Sequence, residues 1–243
     1  MDIGGANPPA IAGVAGGVPI RRILLGIVVL AVAIAVAQHR RWLPAPWDPT
    51  RPLDLRAPVT LVTPLKKRLL EADPGLCAAA LATAPLSVRR VPDSFGACPL
   101  RDAVRVSGGV VMTHPSSFLA SCRLAVGWAM FTRDAAALAR IRFGRTLTGI
   151  DQLGSYACRD VRGRPGVESS HARADAIDVS GFGFADGRRL AVSDWHAAGS
   201  DGALLHALRD LACEDFGLVL SPDYNADHAG HLHLQAGGFG LCR

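Results

Sequence analysis

From Thr60 onward, apolar positions repeat at helical and strand periods in turn, but one earlier stretch follows neither. Ile23 to Ala37 reads ILLGIVVLAVAIAVA, uncharged and apolar on every side, with Arg21 and Arg22 before it and His39, Arg40 and Arg41 after it. As a helix this run is about 22 Å long, short of a hydrocarbon core of about 30 Å. Ala35-Val36-Ala37 followed by Gln38 has the small-residue form of an export cleavage site. The long segment before the run, and two arginines able to snorkel after it, fit a retained anchor instead. Residues 20–38 are therefore read as an export segment, signal peptide or membrane anchor, that places everything after about residue 40 outside the cytoplasm. Residues 1–19 are rich in Gly, Ala and Pro and read as disordered. Residues 39–59, with Pro44, Pro46, Pro49 and Pro52, read as an extended linker.

The folded domain is expected over residues 60–243. Pro64 to Ala72 and Leu76 to Thr83 read as short helices. Val104–Ser107 and Val110–Met112, broken by Gly108-Gly109, read as the two strands of a hairpin. Ser116-Ser117 reads as the opening of a long amphipathic helix ending near Ala139, and Ala203 to Phe216 as a second helix stopped by Gly217. Strands are expected at Thr146–Ile150, Ala176–Ser180 and His231–Gln235, the last alternating polar and apolar. Helices and strands mix without a βαβ rhythm, so the fold class is α+β.

Composition narrows the picture. With 49% hydrophobic residues and a net charge of only +5, the chain is not disordered, and 26 Gly with 16 Pro exclude a coiled coil. The pI near 9.1 comes from arginines scattered singly; Lys66 and Lys67 are the only lysines, and no basic block interleaves with aromatics. Nucleic acid is not an expected partner. Six cysteines, Cys77, Cys98, Cys122, Cys158, Cys213 and Cys242, all follow the export segment and contain no C-x-x-C. Outside the cytoplasm they read as three disulfides, with Cys77–Cys98 expected as a local pair.

The chemistry concentrates in two segments, Ser169-Ser170-His171-Ala172-Arg173-Ala174-Asp175-Ala176-Ile177-Asp178 and Asp227-His228-Ala229-Gly230-His231-Leu232-His233. Imidazoles and carboxylates suit a borderline divalent ion, and three protein ligands leave one position open for water. His231 and His233, two apart on a strand, face the same way.

The pattern S-x-H-x-x-x-x-A-x-D with a late H-x-H resembles the zinc peptidases that include D-Ala-D-Ala carboxypeptidases and the lysostaphin and hedgehog-like folds. The resemblance implies that His171, Asp178 and His233 bind Zn2+, within a single domain whose small antiparallel sheet is flanked by helices. Where Ala174 stands, those proteins commonly have Gly. From about Leu76 to Arg243 the chain is more closely similar to the bacterial extensin-like C-terminal family. That likeness rests on Gly154-Ser155-Tyr156-Ala157-Cys158-Arg159, Asp186-Gly187-Arg188, Pro222-Asp223-Tyr224-Asn225, Asp227-His228, Cys242-Arg243 and the placing of the cysteines. Two positions depart from it: Ser170, where an acid is usual, and Gln235, where an Asp is usual.

Metal-assisted amide hydrolysis is the implied chemistry. Some of these peptidases carry a Glu base three residues before the last ligand, where this chain has Gly230. His231 is then the first candidate for the base and His228 the second. Arg159 is the candidate for gripping a substrate carboxylate. Asp175 and Asp227 are read as supporting or surface groups, Glu168 as a surface group, and His196 and His206 receive no role. Location and resemblance together imply a zinc-dependent hydrolase of peptidoglycan stem peptides or cross-links, periplasmic or held by an inner-membrane anchor. The alternative is a non-catalytic wall-binding or structural module on the same fold.

Overall fold

The computed structural model describes residues 20–243. The segment read as disordered, 1–19, lies outside them. In chain order the elements are α1 (Ile20–Ala37), α2 (His39–Trp42), α3 (Thr63–Ala72), α4 (Pro74–Leu81), β1 (Ser87–Arg90), β2 (Val104–Ser107), β3 (Met112–His114), β4 (Ser117–Ala120) and α5 (Cys122–Phe143). They continue with β5 (Leu147–Gly154), β6 (Ala176–Phe184), β7 (Arg189–Ala191), α6 (Ser200–Asp215), β8 (Leu218–Leu220), β9 (Leu232–Gln235) and β10 (Leu241–Cys242). The class is α+β, as the mixed periods predict.

The sheet is larger than the small antiparallel one expected. Seven strands form it, in the order β10-β8-β9-β6-β5-β3 with β7 also on β6, and the β3–β5 and β10–β8 pairs are parallel. A separate three-stranded antiparallel sheet has the order β1-β2-β4. Helices α5 and α6 pack together under the larger sheet and bury Ile177, Val179, Val219, Leu232 and Leu234. Because strand side chains alternate, the neighbours Asp178 and His233 are turned to the opposite, more open face.

Two local expectations are corrected. Gly108 and Gly109 do not close a hairpin. Both have positive φ, 64° and 121°, and they redirect the chain from β2 in one sheet to β3 in the other. The long helix also begins later than Ser116-Ser117 implies. Phe118 and Ala120 are buried alternately, which is the period of a strand, and β4 pairs with β2. The true cap is Ser121, whose Oγ accepts the Leu124 N–H at 3.1 Å. At its other end α5 stops at Gly144, in the left-handed conformation (φ 64°).

The proline-rich segment is also more than a spacer. Leu53 and Leu55 are buried in the main core. The Leu55 N–H donates to Thr83 Oγ1 at 2.8 Å, and Arg133 donates to the Leu55 carbonyl at 2.6 Å.

All six cysteines are paired, as Cys77–Cys122, Cys98–Cys158 and Cys213–Cys242. The expected Cys77–Cys98 bond is not formed, because Cys77 lies on α4, which packs against the start of α5 and so against Cys122. Cys98–Cys158 closes a sequence separation of 60 residues. Its replacement by two serines is expected to cost about 4 kcal/mol in the chain-entropy model, checked by denaturant unfolding. The disulfides, with an apolar α1 that buries no residue, mark an extracytoplasmic protein with a signal peptide or anchor.

At the end of α6, burial pushes the Asp215 carboxyl up to about 7, against the pull of Lys67. Lys67 Nζ donates to the Asp215 backbone carbonyl at 2.7 Å and lies 3.7 Å from its carboxylate. A raised carboxyl pKa means that the native state keeps a proton the unfolded state has released. Stability therefore falls as pH rises from about 4 to about 7, and no further. Asp215→Asn is expected to remove this slope, read as the difference between variant and parent in unfolding free energy at pH 5 and pH 8.

Candidate functional site

Three segments meet on the open face of the larger sheet. Asp178 on β6 lies directly across from His233 on β9, a pairing fixed by the antiparallel register from Ala176↔Gln235 to Val179↔Leu232. His171 comes from the 3-10 turn Ser170–Arg173, opened by Ser169, whose Oγ accepts the His171 N–H at 3.3 Å. That turn closes on Ala174 at φ 51°, a left-handed conformation that costs an L-residue and suits glycine. The glycine expected at this place from the resemblance would have a backbone reason, and here alanine adopts the same turn.

The three predicted ligands converge. His233 Nδ1 lies 2.9 Å from Asp178 Oδ1, His171 Nε2 3.3 Å from the same oxygen, and the two ring nitrogens are 3.2 Å apart. Ligand bonds of about 2.0 Å in a tetrahedral site place donors roughly 3.3 Å from one another. Two imidazole nitrogens and a carboxylate oxygen at these separations can hold a small divalent cation. Burial raises the Asp178 carboxyl, but hydrogen bonds from His171 and His233 outweigh it and hold the group well below the usual carboxylate range. The aspartate is thus ready to bind a cation as an anion.

Both candidate bases stand beside this cluster. His231 Nε2 is 3.8 Å from Asp178 Oδ1. The His228 ring is 5.1 Å from that of His231 and 6.0 Å from that of His233, with Nδ1 donating to Asn225 Oδ1 at 2.7 Å. Burial, together with the neighbouring His231 and His233, pushes His228 down to about 4. Burial also lowers His231, and Asp178 opposes the shift. Neutral imidazoles able to accept a proton are the consequence.

Arg159 is less engaged: it is exposed, and its guanidinium donates to the carbonyl of the adjacent Asp160 at 3.3 Å. The arginine that bridges to the histidine-bearing loop is Arg162, paired with Asp227 at 2.6 Å. Nothing in its spacing singles it out in the sequence. Glu168 pairs with Arg173 at the surface. His206 packs against Trp195 at a tilt, with ring centroids 4.2 Å apart, and Trp195 Nε1 donates to Asp223 at 2.9 Å, holding the loop that leads to His228.

Asp175 has a larger part than its sequence context reveals. It is 2% exposed and accepts Ser121 Oγ at 2.6 Å and Arg123 at 2.6 and 3.2 Å. It thereby ties the capped start of α5 to the turn that carries His171. Gln235 pairs with Ala176 at the end of β9 and has no charge to offer there.

Residues 75–243, which hold all six cysteines and every residue of this cluster, match the family described as extensin-like protein C-terminus. The chain belongs to that family. No curated protein and no solved structure matches it. Within this extensin-like domain the disulfides bear on the site, since Cys98–Cys158 anchors the segment leading to Ser169. Helices α1, α2 and α3 precede the matched residues.

Proposed function

We propose that this extensin-like protein is a zinc-dependent hydrolase of peptide amide bonds in the periplasm, acting on peptidoglycan stem peptides or cross-links. The observation that carries the reading is the convergence of His171, Asp178 and His233 with His231 beside them on an open sheet face. Two imidazoles and one carboxylate are the ligand chemistry of catalytic zinc with one position left open, which relates the site to the zinc peptidases. When bound, zinc supplies Lewis acidity that polarises the scissile carbonyl and makes water a nucleophile near neutral pH. His231 then takes the proton of the attacking water and delivers it to the departing amine. His228, held by Asn225, is the alternative for the same step. Arg159 offers its fork to a substrate carboxylate from the exposed side.

The deciding experiment incubates the purified, zinc-loaded protein with isolated sacculi and identifies released peptides by mass spectrometry. His231→Ala is expected to keep its zinc and lose turnover by about 10²–10⁴-fold. His228→Ala tests the competing assignment by the size of its own loss. A second reading, a wall-binding module without catalysis, draws support from Gly230, which leaves the position of a Glu base without a side chain. It prevails if the protein binds zinc and sacculi but releases nothing.

A further inference from the structure

The apolar character of α1 continues onto the folded domain. Helix α3 turns Thr63, Lys66 and Leu70 into the protein, at helical spacing. Its outer face would ordinarily be polar. Instead Leu65 and Leu69, one turn apart, are 49% and 41% exposed, and Leu61 in the preceding turn is 89% exposed. Trp42, Trp47 and Val59 are exposed as well.

These residues belong to one fastened structure close to the end of α1. Lys66 Nζ donates to the Ala45 carbonyl at 3.0 Å and Thr60 Oγ1 to the Pro46 carbonyl at 3.0 Å. The first turn of α3 is thus tied to the 3-10 turn Ala45–Trp47. That turn follows α1 after Gln38, the four residues of α2, Leu43 and Pro44. The path is roughly 16 Å of chain at most, counting about 1.5 Å per helical and 3.5 Å per extended residue. The junction is not a free hinge: His39 lies 3.3 Å from the buried Asp48, and Arg51 donates to the Arg40 carbonyl at 3.1 Å.

Helix α1 has 18 residues and is about 27 Å long; its uncharged part is about 22 Å, and Arg21 and Arg22 at one end with Arg40 and Arg41 beyond the other can snorkel to make up the span. Arg40, Arg41 and Trp42 at its end are the residue types that settle at a membrane interface. Arg68 lies between the two exposed leucines of α3, so the stripe combines an apolar face with a basic edge, as interfacial helices do.

We propose that Leu61, Leu65 and Leu69, flanked by Trp42 and Trp47, rest in the interface of the bilayer that α1 spans. Helix α1 is then a retained anchor, and α3 is a second contact that fixes the domain's attitude to the membrane. This rests on the exposed apolar face and not on the histidine site.

The test uses the full chain in phosphatidylethanolamine–phosphatidylglycerol proteoliposomes. Because the native cysteines are all paired, Leu61→Cys, Leu65→Cys and Leu69→Cys each present one thiol for a fluorescent label. The labels are expected to be quenched by doxyl-bearing lipids and shielded from aqueous iodide. Native protein recovered from membranes is expected to retain α1 by intact mass. Labels open to iodide and untouched by doxyl lipid overturn the proposal. So do labels shielded from both, which would indicate a second copy on this face, and so does a mature chain beginning at Gln38.

Discussion

Replacing His171, Asp178 or His233 by alanine is expected to weaken zinc binding by more than about 100-fold, beyond the 10–100-fold typical of losing a supporting group. In the proposed site each would supply one of three protein donors, whose separations of 2.9 to 3.3 Å match those of a tetrahedral ion. Asp178→Asn sharpens the test, since it keeps the shape and removes the anion that balances the cation. Isothermal titration and metal analysis of dialysed protein measure the effect, with far-ultraviolet dichroism confirming the fold. Stoichiometry near one in the parent and unchanged in all three variants would sink the ligand assignment. His231→Ala serves as the internal contrast, because its nearest approach to the cluster is 3.8 Å.

Asp175→Ala is expected to destabilise the domain by about 1–3 kcal/mol, the usual cost of leaving a buried hydrogen-bonding group without its partner. Its carboxylate is the acceptor for both Ser121 and Arg123, so truncation leaves the hydroxyl without its acceptor and the guanidinium with Glu71 alone. The loss also reaches the site. The residue sits between Ala174, in its left-handed turn, and β6, which carries Asp178. Zinc affinity is expected to drop about 10–100-fold in the folded fraction, on the scale of other supporting groups. Urea denaturation and zinc titration measure the two effects separately. In a double-mutant cycle, Arg123→Ala with Asp175→Ala should cost less than the sum of the single changes, because Arg123→Ala alone leaves the buried Asp175 carboxylate without its cation.

The candidate ligands His171, Asp178 and His233 were legible through the likeness of their motifs to those of zinc peptidases, and local periodicity added only the shared direction of His231 and His233. An H-x-H on an alternating strand fixes the direction of both side chains, whatever the fold. Likewise the apolar run of α1 needs no context to be recognised. Asp175 was not legible, since burial and its partners Ser121 and Arg123 lie more than 50 positions away along the chain. The start of α5 was misplaced for a related reason. Ser116 and Ser117 look like caps, and only pairing with β2 shows that Phe118 and Ala120 belong to a strand.

Taken alone, the sequence determined the α+β class, the even set of cysteines and the apolar export segment. These follow from composition and short-range periodicity. Tertiary structure alone decided which cysteines pair, how many strands join the larger sheet, and that Leu53 and Leu55 enter the core. It also decided that His171 meets Asp178 and His233, which lie 7 and 62 positions away. Such meetings depend on strand register and helix packing, which arise from many weak contacts between distant segments and leave no mark at any one position of the chain.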